Sequence, residues 1–161
     1  MNYLLALDQG TSSSRAILFD DMGKQYAMAQ ETFEQHYPNS GWVEHEPMDL
    51  WSTQLAVAKS AILQSGIAPS QIKAIGITNQ RETTLLWEKS TGKPLSRAIV
   101  WQDRRTAAHC EELAQQGLGS RIHELSGLVL DPYFSASKIH WLLKNIPNGY
   151  ARARAGELAF G

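Results

Sequence analysis

Apolar positions in the first third of the chain fall into two spacings. Residues 3–7 form a near-continuous apolar run ending at Asp8, and residues 15–19 alternate polar and apolar, the period of a half-buried strand. Residues 20–23, Asp-Asp-Met-Gly, carry turn chemistry, with Gly23 suited to a positive φ. Residues 24–33 can return as a third strand. A meander of three strands therefore precedes any helix, which excludes the βαβ opening of a dinucleotide-binding domain.

After a loop marked by Pro38 and Gly41, the spacing changes. The stretch "GWVEHEPMDLW" leads into a predicted helix over 47–64, with proline at its first position and Trp51, Leu55, Ala58 and Ile62 as its buried stripe. Gly66 and Pro69 end it, and "IKAIGITN" follows as a β-branched run of the kind found in buried strands. Residues 83–88 and 97–101 read as two further strands around a turn at 91–94. The remainder is mostly helical, over 103–116, 121–126 and 135–145, the last with Ile139, Leu142 and Ile146 on one side. The final "ARARAGELAFG" ends on small and apolar residues where another buried strand could begin, so the segment is expected to be incomplete at its C-terminus and to continue in a larger protein. Strands in a meander, then strands alternating with helices, predict an α/β domain with a mixed sheet, in an order that suits a ribonuclease-H-like, actin-like ATPase domain.

Composition narrows the partners. With 43% hydrophobic and 19% charged residues, the 161-residue chain has the profile of a soluble globular protein with one sizeable core, and one domain is the default. The 15 Lys and Arg against 16 Asp and Glu leave a net charge of −1, no field for nucleic acid or anionic lipid. Cys110 is the sole cysteine, which excludes an internal disulfide or a thiolate-rich metal site and favours a reducing, cytoplasmic setting. The N-terminus has no basic leader, and no segment approaches the roughly 20 apolar residues of a membrane span.

Candidate chemistry sits in two places. The first is Asp8-Gln9-Gly10-Thr11-Ser12-Ser13-Ser14-Arg15, between two strands. Gly10 permits close approach of the backbone to a ligand, the turn offers amides and four hydroxyls to phosphate oxygens, and Arg15 adds a fixed charge. Asp8, at a strand end, could hold Mg²⁺ directly or through its waters. The lysine and spacing of a Walker loop are missing, and the residues alone fit a solvated hairpin equally well.

The second place begins at Arg81 and Glu82, beyond the carboxyl end of the "IKAIGITN" strand, where open α/β sheets place ligands. Adjacent residues in a regular strand point to opposite faces, so a shared ligand requires a bend or bulge near residues 80–82. Arg only donates and Glu⁻ only accepts, which together satisfy neighbouring hydroxyls, as on a polyol. A surface ion pair is the plain alternative. Trp101 could pack on a ligand's carbons or belong to the core, and Asp103 can cap the helix that carries Arg104 and Arg105, two arginines read as structural. Tyr133, in a proline-fixed loop, could reach a polar ligand or be a satisfied loop tyrosine. The histidines form no metal-ligand spacing, and no G-x-S-x-G elbow occurs.

Six stretches, "ALDQGTSSSRAILFD", "GWVEHEPMDLW", "AIGITNQRETTLLWEK", "AIVWQDRRTA", "GLVLDPYFSASK" and "RARAGELAFG", occur in an order that resembles the N-terminal part of the FGGY family of carbohydrate kinases, over effectively the whole chain. The resemblance implies ATP-dependent, Mg²⁺-requiring phosphorylation of the terminal hydroxyl of glycerol to sn-glycerol 3-phosphate. It places Thr11, Ser12, Ser13 and Arg15 on the nucleotide phosphates, Asp8 near the metal, and Arg81, Glu82, Trp101 and Tyr133 in the glycerol pocket. It also implies a second domain, a catalytic carboxylate, a second phosphate loop and an adenosine pocket beyond residue 161, assembly of the full-length protein into a homo-oligomer, and no catalytic residue and no turnover in residues 1–161 alone. A kinase for another polyol or sugar, or a non-catalytic actin-like nucleotide-binding module, are the competing readings.

Overall fold

The computed structural model describes residues 2–161. Strands β1 (Tyr3–Gln9), β2 (Ser13–Asp20), β3 (Gln25–Thr32), β4 (Glu44–His45), β5 (Ile72–Thr78), β6 (Leu86–Glu88), β7 (Ala98–Ile99) and β8 (Leu158–Phe160) are interspersed with helices α1 (Pro47–Ser65), α2 (Ala107–Gln115), α3 (Leu118–Ser126), α4 (Ser135–Asn145) and α5 (Gly149–Arg154). These elements make two compact units rather than the single core expected from composition. The first runs to Gln35 and resumes over Glu46–Gln80; the second comprises His36–His45 and Arg81–Gly161.

The first unit is a four-stranded mixed sheet in the order β3-β2-β1-β5. β1, β2 and β3 form the expected antiparallel meander, and β5 joins β1 in parallel. Alternation along β2 sends Ser14, Ala16, Leu18 and Asp20 to one buried face. There Tyr3, Leu5, Ala16 and Leu18 pack against Val57 and Ala61 of α1. Proline at its N-terminus and Gly66, at φ 68°, bound that helix as predicted.

Two expectations for this unit fail on packing. The buried stripe of α1 is Thr53, Val57 and Ala61, with Ala58 and Ile62 at its margin; Trp51 is 61% exposed and Leu55 lies outside the core. Small residues on the sheet, Ala16, Ala27 and Ala29, admit the helix by a face of small side chains, and the Ser14 hydroxyl bonds that of Thr53 at 2.7 Å. Strand β5 exists as predicted but is not buried. It lies at the sheet's edge, and Ile75 and Ile77 are exposed.

The second unit is built from two short antiparallel pairs, β4 with β7 and β6 with β8, and four helices. Leu86, Ile99 and Leu142 form its core with Trp141, Leu143 and Ile146 around them. The predicted strands over 83–88 and 97–101 contract to three and two residues, joined by a bridge between Thr84 and Ile99. Helix α4 has its predicted limits, and α3 begins at Leu118.

Helix α2 starts at Ala107 because Asp103 does not cap it. The buried Asp103 carboxylate instead accepts from the amides of Val43 and Arg105, at 2.7 and 2.8 Å, and from the Arg105 guanidinium. Arg105 also pairs with Glu44 at 2.8 Å and lies between Trp42 and Trp141, 3.7 and 4.7 Å from their ring centres. Arg104 pairs with Asp131. Both arginines are structural, as read from the sequence.

Candidate functional site

In the first unit the conspicuous feature is the β1–β2 hairpin, whose loop is Gly10, Thr11 and Ser12. The Gly10 amide donates to the Ser13 carbonyl at 2.9 Å, and a Cβ on Gly10 would lie 3.0 Å from that same oxygen. A side chain at position 10 would thus crowd the chain's own tight turn. Of the four hydroxyls counted in the sequence, Ser14 is withdrawn: it is buried, donates to Gln9 and bonds Thr53. Ser13 Oγ accepts from Gln30 at 2.9 Å, and the Thr11 carbonyl accepts from Gln35. Ser12 is exposed at the loop.

Asp8 and Arg15 are register partners across the hairpin, on the sheet face opposite α1. The Arg15 guanidinium donates to Asp8 Oδ2 from Nε at 3.2 Å and from Nη2 at 2.5 Å, so both bonds fall on one oxygen of the carboxylate. The parallel alignment of β1 with β5 sets Thr78 beside Asp8, so the carboxyl ends of two parallel strands meet this hairpin.

In the second unit the structure draws Glu82, Trp101 and Tyr133 together. Glu82 has φ 65°, a left-handed conformation rare for a residue with a side chain, and this supplies the bend expected at residues 80–82. The Glu82 Oε2 atom accepts from the amide and the hydroxyl of Ser135, at 2.8 and 2.7 Å, so the carboxylate caps α4 where backbone donors and the helix dipole favour negative charge. The Trp101 and Tyr133 rings meet edge to face, with centres 6.0 Å apart. Tyr133 lies in an Asx turn closed by Asp131 Oδ1 on its amide, the loop that Pro132 was expected to stiffen. Arg81 is exposed, and its guanidinium bonds no described residue.

Beneath this cluster lies Lys138, wholly buried, whose ammonium donates to the carbonyls of Glu82 and Tyr133. Burial lowers its pKa to about 8, against the opposing pull of Glu82, Asp103 and Asp131. Sequence reading missed both Lys138 and Ser135. Their signal was present: Lys138 stands one turn before Leu142 on the buried face of α4, where a lysine needs partners, and Ser135 opens the helix.

A meander with a parallel strand added at β1, a tight β1–β2 hairpin and an α1 crossover define the actin-like, ribonuclease-H-like ATPase fold. Residues 3–160 match the model of the FGGY family of carbohydrate kinases, N-terminal domain, and the chain belongs to that family. It is 61% identical over all 161 residues to a glycerol kinase of Methylibium petroleiphilum and 58% identical to one of Aromatoleum aromaticum. In both comparisons it spans 32% of the relative's length. Among solved structures it resembles the Plasmodium falciparum glycerol kinase with ADP, with a TM-score of 0.93 and 33% identity over the whole chain and 32% of that protein. A xylulose kinase from Rhodospirillum rubrum shares the fold, with a TM-score of 0.83 at 22% identity over 93% of this chain and 30% of that one.

Proposed function

We propose that this chain supplies the N-terminal part of an enzyme that transfers the γ-phosphoryl group of ATP to a terminal hydroxyl of glycerol. Identity of 61% to a glycerol kinase across the full chain carries the reading. The chemistry of each unit supports it.

In the first unit, Thr11, Ser12, Ser13 and Arg15 would bind nucleotide phosphates. Mg²⁺ would rest on Asp8, whose Oδ1 lies outside the pair with Arg15. A single carboxylate suits an ion that keeps most of its waters and takes its other ligands from phosphate. No group of three or more His, Cys, Asp or Glu side chains able to hold a metal occurs among the described residues. When bound, the ion would neutralise phosphate charge; the chain's own part is to orient the phosphates.

In the second unit, Glu82 Oε1, left over from the Ser135 bonds, would accept from a glycerol hydroxyl, and Arg81 would donate to its neighbour. The Trp101 face would cover the carbon chain, and the Tyr133 hydroxyl would complete the pocket. The base that takes the glycerol proton would come from outside this chain, as the resemblance to the FGGY kinases implies. A cytoplasmic setting and a homo-oligomeric assembly belong to the same proposal. None of the described helices is long and apolar enough to cross a membrane.

The test is ADP production by the complete enzyme with glycerol and with a panel of longer polyols and sugars. Turnover with glycerol at the highest kcat/KM is expected; preference for a five-carbon sugar would refute the substrate assignment.

A further inference from the structure

The two carbonyls that receive the buried ammonium of Lys138 belong to two residues of the proposed pocket, Glu82 and Tyr133. A side chain on a helix leans toward the N-terminus, so Lys138, in the first turn of α4, reaches back beneath the loop that precedes its own helix. Its three donors suit carbonyls arriving from separate segments. Ser135, at the start of the same turn, grips the Glu82 carboxylate. Both the main chain and the side chain of Glu82 are therefore anchored to one helical turn, as is the main chain of Tyr133.

Glu82 needs anchoring. At φ 65° its backbone is in a conformation that costs a residue with a Cβ free energy, and it persists only where surrounding bonds over-determine it. Lys138 is itself an expensive group to bury, with Glu82, Asp103 and Asp131 as the nearby charges that oppose its desolvation. A packing role alone would be met by methionine, which has similar length and no charge to desolvate.

We infer that Lys138 is a positioning residue for the polyol: without touching it, the ammonium holds the Glu82 and Tyr133 backbones at the separation and orientation in which their side chains meet neighbouring groups of one ligand. This rests on the reading that Glu82 and Tyr133 face the polyol.

The test compares Lys138→Met and Lys138→Arg with the wild type in the complete enzyme, by the KM for polyol and the KM for ATP. Wild-type turnover is first measured with glycerol and longer polyols, and the best acceptor serves for the comparison. A wrong acceptor thus overturns the substrate assignment alone, while absence of turnover with every polyol overturns both readings. For Lys138→Met the polyol KM is expected to rise about tenfold or more, the order of effect of losing a charge-assisted hydrogen bond, with the ATP KM within about twofold. Lys138→Arg, which keeps charge and donors, should recover much of the loss. Equal changes in both KM values, or none in either, would overturn the inference. Should the methionine variant fail to fold, Lys138→Gln, which keeps an amide donor without the charge, is judged by the same ratio.

Discussion

The Glu82 carboxylate and Ser135 are joined by two hydrogen bonds, from the amide at 2.8 Å and from the hydroxyl at 2.7 Å, across 53 residues of sequence. One bond depends on the Ser135 side chain and one does not. In the complete enzyme, Ser135→Ala should therefore loosen Glu82 without releasing it, raising the glycerol KM by about threefold to tenfold with the ATP KM unchanged. Steady-state kinetics with each substrate varied in turn checks this; a rise in the ATP KM alone would refute it.

Arg81 bears no structural load in the second unit, being exposed and bonded to no described residue. Arg81→Ala should change unfolding free energy by at most about 0.5 kcal/mol, the range of ordinary surface substitutions. The same variant should raise the glycerol KM with a much smaller effect on ATP. An unchanged glycerol KM would remove Arg81 from the pocket.

Arg105 is the opposite case, buried between two tryptophans with two carboxylates on its guanidinium. Arg105→Ala would leave Asp103 without its cation and Glu44 with Arg97 at 3.9 Å, and breaking a buried pair from one side costs about 3–5 kcal/mol. Arg105→Lys should recover only part, since an ammonium cannot reproduce the planar stack and fork. Urea unfolding followed by tryptophan fluorescence measures both; a loss below about 1 kcal/mol for the alanine variant would contradict this account.

His45 gives the second unit an acid sensitivity. It is wholly buried, and burial, reinforced by His36, lowers its pKa from 6.5 to about 4. Between those values the unfolded chain holds the proton and the folded chain does not, so stability is retained above pH 6.5 and declines as pH falls toward 4. The full gap corresponds to about 3 kcal/mol. Urea midpoints should drop from pH 7.5 to pH 4.5, and less steeply in His45→Asn; parallel profiles for the two proteins would exclude His45 as the cause.

Gly149 is the tightest glycine in the second unit, where an added Cβ would lie 2.2 Å from the Leu143 carbonyl oxygen, a backbone atom at the end of α4. Relief requires the α4–α5 corner to move, so Gly149→Ala should destabilise by about 1–3 kcal/mol, comparable to overpacking elsewhere. Thermal unfolding at neutral pH would show it as a lowered Tm, and an unchanged Tm would mean that the corner yields freely.

The legible parts of the fold were those whose partners lie nearby in sequence. The meander could be read because alternation and the Asp20–Gly23 turn act within a few residues, and α4 because its apolar positions and flanks agree. The bend at Glu82 was legible by a geometric argument, since two adjacent strand residues cannot face one ligand. The buried face of α1 was not, because periodicity weights Trp51 and Leu55 by size, whereas the Ala16 surface and the Ser14 hydroxyl select Thr53 and Val57. Asp103 was misread as a cap because its main partners, Val43 and Arg105, include one sixty residues away. Lys138 and Ser135 stayed hidden for the same reason, as their bonds to Glu82 form only once α4 has docked.

The left-handed turn at Glu82 has a cost. Glycine would suit that backbone better by about 1–2 kcal/mol, and asparagine would tolerate it, yet neither carries a carboxylate long enough to meet Ser135. At position 82 the strain in the backbone is therefore set against the two bonds its carboxylate makes at the start of α4.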